Sequence, residues 1–372
     1  MVRKKKTPPK KEESKQAPVK EEKQEQVEAI DDIPKLKTPT AEDQKEFKKT
    51  LTAMEKEFGE GVIASAEDIL NVDKVPTRNL LLDILTEGGL PKGSISLFFG
   101  EESSGKSAQA YALASIFTLQ GIPVLDIACE GDIDKTWIQK MGNDLKHFYV
   151  ARPDDLEKAI DIADVAVRSR KYGLVIFDSV TAGIPREASD KKTEKDQMAL
   201  QARRNGKLVQ KLTSGLQPAN LKNPDDYNNT MVILIAHLRE KVGVVYGNPE
   251  TIPGGHALKH HSAYIVKYKR GAKLTKKEDI VGREVRITID KAKFSVPLVK
   301  GVTEFFFSPP RYNNAKVLLT YATQYGIIER NGAYYSYGDI KVQGQKDLLL
   351  TLKEKGLLPE IKEKLIRRFG DE

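Results

Sequence analysis

The sequence predicts an α/β fold with a mostly parallel central sheet covered on both faces by helices. Three observations predict it. Near-continuous apolar runs recur at 94–99 (SISLFF), 122–128 (IPVLDIA), 173–178 (GLVIFD) and 230–236 (TMVILIA). Stretches of helical character separate them, near 105–120, 132–141, 154–170 and 197–216. Strands that are apolar at nearly every position are buried on both faces, and helix-length connections are what parallel neighbours require. The third observation is a glycine-rich stretch, FFGEESSGKS from Phe98 to Ser107, placed where the first strand hands over to the first helix.

In chain order, residues 1–40 are rich in Lys, Glu, Gln and Pro and poor in apolar groups. They cannot bury enough surface to offset ordering entropy, so a disordered charged tail is expected. Residues 41–58 place Phe47, Leu51, Met54 and Phe58 at helical spacing, and GEG at 59–61 ends the helix. An isolated helix of that kind needs a surface to pack on, either its own core or a neighbouring subunit. It and a linker to residue 75 precede the main domain, expected over 76–308. Short alternating runs at 262–269 and 283–291 extend the sheet with extra strands. Beyond SPPRYNN at 308–314, residues 309–372 suffice for a small α/β domain.

Composition narrows the function classes. The 372 residues carry 39% hydrophobic and 31% charged side chains, a soluble globular balance. No run approaches the ~18 apolar residues of a membrane span. The basic N-terminus lacks the apolar stretch of a secretory signal. With Cys129 as the single cysteine, internal disulfides and paired-cysteine zinc sites are excluded, and a reducing, cytoplasmic setting is expected. Cys129 itself is expected to be small, buried and unreactive. Of the net charge of +8, +3 falls on the first forty residues, which leaves a balance that permits a polyanionic partner without demanding one.

The chemistry starts at Gly100-Glu101-Glu102-Ser103-Ser104-Gly105-Lys106-Ser107, which fits G-x-x-x-x-G-K-[ST] between a strand and a helix. Glycines let backbone N–H groups turn inward around a phosphate, and the helix N-terminus that Ala108 continues adds partial positive charge. Lys106 then reaches the β- and γ-phosphates of ATP, and the Ser107 hydroxyl is a Mg²⁺ ligand. Asp178 ends the strand LVIFD, where open α/β sheets bind ligands; alone it would more often be a strand-end cap, but beside the phosphate loop its carboxylate is read as holding Mg²⁺, directly or through water. Glu130 follows the strand at 122–128. Position alone leaves it equally a group that polarises an attacking water or an exposed start of the next helix.

His237 closes the fourth strand, and an imidazole there can hydrogen-bond a terminal phosphate or the attacking water. A lone strand-end histidine is usually structural, but the residues after His237 change that reading. Arg239, Lys241 and Tyr246 lie on a glycine-punctuated loop that ends near Gly254 and Gly255. Basic and aromatic groups suit phosphate and base contacts, and a loop rooted at the nucleotide edge can take different forms with ATP and ADP.

Several of these segments, in order, resemble one family. EKEFGEG, GEESSGKS, VIFDSV, VGVVYGNPETIPGGHALK and NGAYYSYGDIKVQGQ are similar to motifs of the bacterial-type RecA recombinases, over roughly residues 42–370. The resemblance implies a P-loop NTPase core of RecA type, a protomer-packing N-terminal helix and a small C-terminal domain. It implies Glu130 as the catalytic glutamate, Trp137 stacked on adenine with Asp134 near the base edge, and Lys291 and Lys293 reaching the neighbouring subunit's ATP. Read without it, Trp137 is core packing and the two lysines are exposed strand residues. It places Met198 and Arg203 of a first loop, about 186–204, on DNA, together with Arg239, Lys241, Tyr246, Gly254 and Gly255 of the second. Lys191, Lys192 and Lys195 read as solvated charges.

The chain departs from the family at several positions. His237 stands where a glutamine is usual, which keeps a hydrogen-bonding group and brings pH sensitivity. Gln210 replaces an arginine, and His260 replaces an interfacial phenylalanine. The acidic tail is reduced to GDE, and the Lys-rich extension is additional. The resemblance implies a DNA-dependent ATPase that forms a helical filament on single-stranded DNA and pairs it with duplex DNA, with single-strand-binding and loader proteins as further partners. Its alternatives are a ring-forming helicase or branch-migration motor on the same core, or a filament regulator whose ATPase has decayed.

Overall fold

In a computed structural model, residues 38–129, 133–181, 194–240, 250–251 and 256–370 are described, the side chains of 194–198, 239–240 and 250–251 excepted. The chain divides between Thr52 and Ala53 into two compact units, so the first helix, α1 (Ala41–Phe58), spans the division. No α1 residue is buried, and Phe47, Met54 and Phe58 are exposed. The larger unit continues with α2 (Leu80–Leu85), β1 (Ile95–Gly100), α3 (Lys106–Thr118), β2 (Val124–Ala128) and α4 (Lys135–Lys140). β3 (Phe148–Ala151), α5 (Leu156–Ser169), β4 (Leu174–Asp178), α6 (Glu194–Leu216) and β5 (Met231–His237) come after them. Next come α7 (His256–His261), β6 (Tyr264–Lys276), β7 (Asp279–Ala292), β8 (Lys300–Phe307) and β9 (Pro310–Tyr312).

These nine strands make one sheet in the order β9-β8-β7-β6-β1-β5-β4-β2-β3. From β6 to β3 every neighbouring pair is parallel; β6 through β9 pair antiparallel. The four apolar runs are the inner parallel strands, and their alternation divides the core. Phe98, Ile176, Ile233 and Ile235 join α2 and α3 on one face, whereas Leu97, Phe99, Val175, Phe177 and Leu234 join α5 and α6 on the other. Burial on both faces is why these strands carry apolar residues at consecutive positions.

Three features go beyond the sequence expectation. The runs expected at 262–269 and 283–291 are parts of a longer hairpin, β6 and β7, whose outer halves are more exposed and more charged, which hides strand length from an apolarity count. β3 is four residues long with two exposed, too short for a period-two signal. Helix α2 is fully buried, so it has no polar face to give it helical periodicity. Past β9 lie α8 (Asn314–Gln324), a three-stranded antiparallel sheet of β10 (Glu329–Asn331), β11 (Tyr334–Tyr337) and β12 (Ile340–Gln343), then α9 (Gln345–Glu354) and α10 (Leu358–Gly370). Lys362 of α10 reaches Asp83 of α2 at 3.0 Å, which gives that buried carboxylate a charged partner as well as Thr77.

Among the described residues no helix is long and apolar enough to cross a membrane.

Candidate active site

Gly100, Ala128, Asp178 and His237 are the last residues of β1, β2, β4 and β5. The parallel register sets them side by side: Gly100 pairs with His237, and Ala128 with Asp178. The strand ends, the N-terminus of α3, the helix α4 and the β7–β8 edge enclose a cleft of about 620 Å³.

The loop from Gly100 to Ser107 forms its floor. Gly100 runs so close to β6 that a Cβ there would collide with the Tyr268 carbonyl oxygen. Gly105 takes the left-handed conformation at φ 101° immediately before α3, which turns the chain so that the first N–H groups of the helix face the cleft. The buried Lys106 ammonium donates to the Gly100 carbonyl at 3.2 Å and the Glu101 carbonyl at 2.7 Å. Ser107 Oγ donates to Asp178 Oδ2 at 2.6 Å, joining the loop to the end of β4. Ser104 Oγ is buried in the loop without a hydrogen-bond partner among the described residues, a donor that a phosphate oxygen would satisfy. Converging N–H groups, one buried ammonium and a hydroxyl–carboxylate pair fit a nucleoside triphosphate and a hard divalent cation.

Tyr111 and Asp126, which no sequence motif singles out, line the same wall. Tyr111 donates its hydroxyl to Asp126 Oδ2 at 2.8 Å; Oδ1 is buried without a partner among the described residues. Burial pushes the Asp126 carboxyl up to about 7; the Tyr111 hydrogen bond opposes this and the Asp178 charge adds to it. A signal for Asp126 exists in the sequence, since an acid inside IPVLDIA stands in an otherwise apolar strand.

Trp137 on α4 is half-buried: it packs against the main core and also lines the cleft. Asp134 lines the cleft and caps α4, accepting from the Thr136 N–H at 2.8 Å. Opposite them stand Arg283 and Val285 of β7 with Phe305 and Phe307 of β8. FFF at 305–307 is the only mark of that wall in the sequence. Glu101 is held from the same side by Arg270 at 2.7 Å.

His237 lines the cleft, and its backbone N–H donates to Thr181 Oγ1 at 3.2 Å. Thr181 also lies 2.9 Å from Ser179 Oγ, and its carbonyl accepts from Gln201 of α6 at 2.8 Å. Asn205 of α6 donates to the Val180 carbonyl at 3.2 Å. The strand ends beside the cleft are thereby tied to the helix that carries Arg203, which is exposed. Gln210 is exposed on the same helix.

Lys291 and Lys293 do not line the cleft. Lys291 donates to the Lys259 and His260 carbonyls at the end of α7, at 2.7 and 2.9 Å, and burial followed by the neighbouring Lys293 charge lowers its pKa. Lys293 and His260 are exposed. Cys129, expected buried, is half-buried one residue past the end of β2, where its backbone N–H still donates to the Asp178 carbonyl at 2.7 Å.

Arg239 belongs to a two-residue strand paired with Glu250–Thr251, which forms the root of the second loop. Glu130, Lys241, Tyr246, Gly254 and Gly255 lie outside the described residues, as do the side chains of Met198 and Arg239.

Comparison with known proteins matches two successive regions of the chain. The model of the RecA N-terminal domain matches residues 45–309, and that of the RecA C-terminal domain matches residues 317–370. Protein RecA of Thermus thermophilus is 32% identical over 333 residues, 88% of this chain and 95% of that protein. Protein RecA of Methylococcus capsulatus is 33% identical over 309 residues, 82% and 86% of the two chains. Protein RecA of Francisella tularensis subsp. novicida is 34% identical over 316 residues, 84% and 85%. With both domains matched in order around a glycine-rich loop hydrogen-bonded to the strand-end carboxylate of Asp178, the chain belongs to the RecA family of DNA-dependent ATPases that act in DNA recombination and repair.

Proposed function

We propose that this chain polymerises as a helical filament on single-stranded DNA, hydrolyses ATP in the cleft described above, and uses the nucleotide state to set its grip on DNA during pairing with a homologous duplex. The observation that carries this reading is the 2.6 Å bond from Ser107 to Asp178, which presents a hydroxyl and a carboxylate together beside Lys106. Gly100 through Ala108 cradle the phosphates, and Trp137 with Asp134 receives the adenine. Ser107 and Asp178 hold Mg²⁺, which when bound neutralises charge on the β- and γ-phosphates. Lys106 stabilises the charge that develops on the transferred group. Glu130 orients the attacking water and takes its proton. Lys291 and Lys293 act on the ATP of the adjacent protomer, in keeping with their distance from their own cleft.

His237 senses the terminal phosphate. The bonds from His237 and α6 to Thr181 and Val180 give that signal a route to both loops. Met198 and Arg203 of the first loop, and Arg239, Lys241, Tyr246, Gly254 and Gly255 of the second, hold the strand through phosphate contacts and stacking. Such binding weakens with salt and is nearly indifferent to sequence, so homology is read by base pairing. Single-strand-binding and loader proteins are the further partners of this reading.

The test is steady-state ATP hydrolysis with and without single-stranded DNA, beside Glu130→Gln. Strong stimulation by DNA that the substitution abolishes is expected. DNA binding without turnover would overturn the motor in favour of a filament former that has lost catalysis.

A further inference from the structure

The cleft holds a cation that the mechanism above does not use. Arg283 of β7 is half-buried and lines the cleft, yet among the described residues nothing hydrogen-bonds, ion-pairs or stacks with its guanidinium. The acids of the same cleft, Glu102, Asp126, Asp134 and Asp178, are not within ion-pair distance of it. The other basic groups around the floor are engaged: Lys106 by two carbonyls, and Arg270 by Glu101 at 2.7 Å. A guanidinium withdrawn from water without a counter-charge is costly, and its planar fork of donors is matched to phosphate oxygens.

The strand carries Arg283 over the loop. Val285, two residues on and therefore on the same face of β7, lies 3.7 Å from where a Cβ on Gly105 would stand. Antiparallel pairing sets Phe305 directly opposite Arg283, so an apolar residue flanks the cation and lowers the local dielectric. We propose that Arg283 is a nucleotide-binding residue that pairs with the phosphate chain of ATP bound to the same protomer, from the wall opposite α3. The proposal rests on the cleft being the ATP site. It makes the cleft's cationic charge two-sided within one chain, Lys106 from the floor and Arg283 from above, independently of lysines supplied by a neighbour.

The experiment measures Mg-ATP affinity calorimetrically, at low and high salt, for the full chain and for Arg283→Gln, Arg283→Lys and Lys106→Ala. A lost charge-assisted contact corresponds to a weakening of about tenfold or more at low salt. That gap should narrow as salt rises, and Arg283→Lys, which keeps the charge but not the fork, should lose less affinity than Arg283→Gln. The thermal midpoint without nucleotide should not move, since Arg283 has no partner to lose among the described residues. A loss equal at both salts and equal in the Gln and Lys variants would mean stacking on the base, and overturns the phosphate assignment. Unchanged affinity in Arg283→Gln, with Lys106→Ala abolishing binding, overturns the role of Arg283 alone. Lys106→Ala binding ATP as the parent does would overturn the reading of the cleft itself.

Discussion

The two walls of the cleft come from two halves of one sheet, and they are built on different principles. The wall from the parallel half is polar and tied together: Lys106 to loop carbonyls, Ser107 to Asp178, Tyr111 to Asp126. The wall from the antiparallel half presents Val285, Phe305 and Phe307, with Arg283 as its cation among the described residues. The difference teaches what each wall is for. Holding a triphosphate and a metal requires donors and charges fixed before the ligand arrives, and only the ends of parallel strands with a helix N-terminus converge them. Enclosing the rest of a nucleotide requires shape and dryness, which apolar side chains on a sheet edge supply without a motif.

The comparison predicts effects of unequal size. The largest belongs to the polar wall. Lys106→Ala should lower ATP turnover by on the order of a hundredfold or more, read as initial rates at saturating DNA. A loss of only a few-fold would show that the floor is not where charge develops.

A middle-sized effect concerns stability. The Asp126 carboxyl sits at about 7 in the folded chain and near the ordinary carboxylate value once unfolded, so between those values the folded state holds a proton that the unfolded state has released. Its ionisation therefore removes stability as pH rises from about 4 to about 7, on the order of a few kcal/mol. Thermal or denaturant unfolding followed across that range should show the decline, and Asp126→Asn should flatten it. A decline of equal slope in the variant would place the titrating group elsewhere.

The smallest effect belongs to the apolar wall. Arg270 and Glu101 are both partly exposed, so their 2.7 Å ion pair contributes under about 1 kcal/mol, and Arg270→Ala should move stability by no more than that. A larger loss would mean that the hairpin is held on the loop by this pair rather than by Val285 and the close passage of Gly100 beneath Tyr268.

The polar wall is legible in the sequence because its parts are local. Gly100 through Ser107 are contiguous, and the meaning of Asp178 and His237 comes from each ending an apolar run, since strand ends in a parallel sheet share one edge. Asp126 is legible in principle as an acid within an apolar strand, but its partner Tyr111 is not, because on α3 it looks like any half-buried aromatic. Trp137 is readable only as one of two roles; in the structure it packs on the core and lines the cleft.

The chain by itself determined the four inner parallel strands with the helices between them, the phosphate loop and the four strand ends beside it, because periodicity and contiguous motifs are properties of neighbouring residues. Only the tertiary structure decided what closes the cleft. Arg283, Phe305 and Phe307 lie far along the chain from Gly105, and they face it through the β7–β8 register and the parallel pairing of β6 with β1. Register is set by cooperative pairing and burial across the whole sheet, and a shift of one residue would turn each of those side chains to the opposite face.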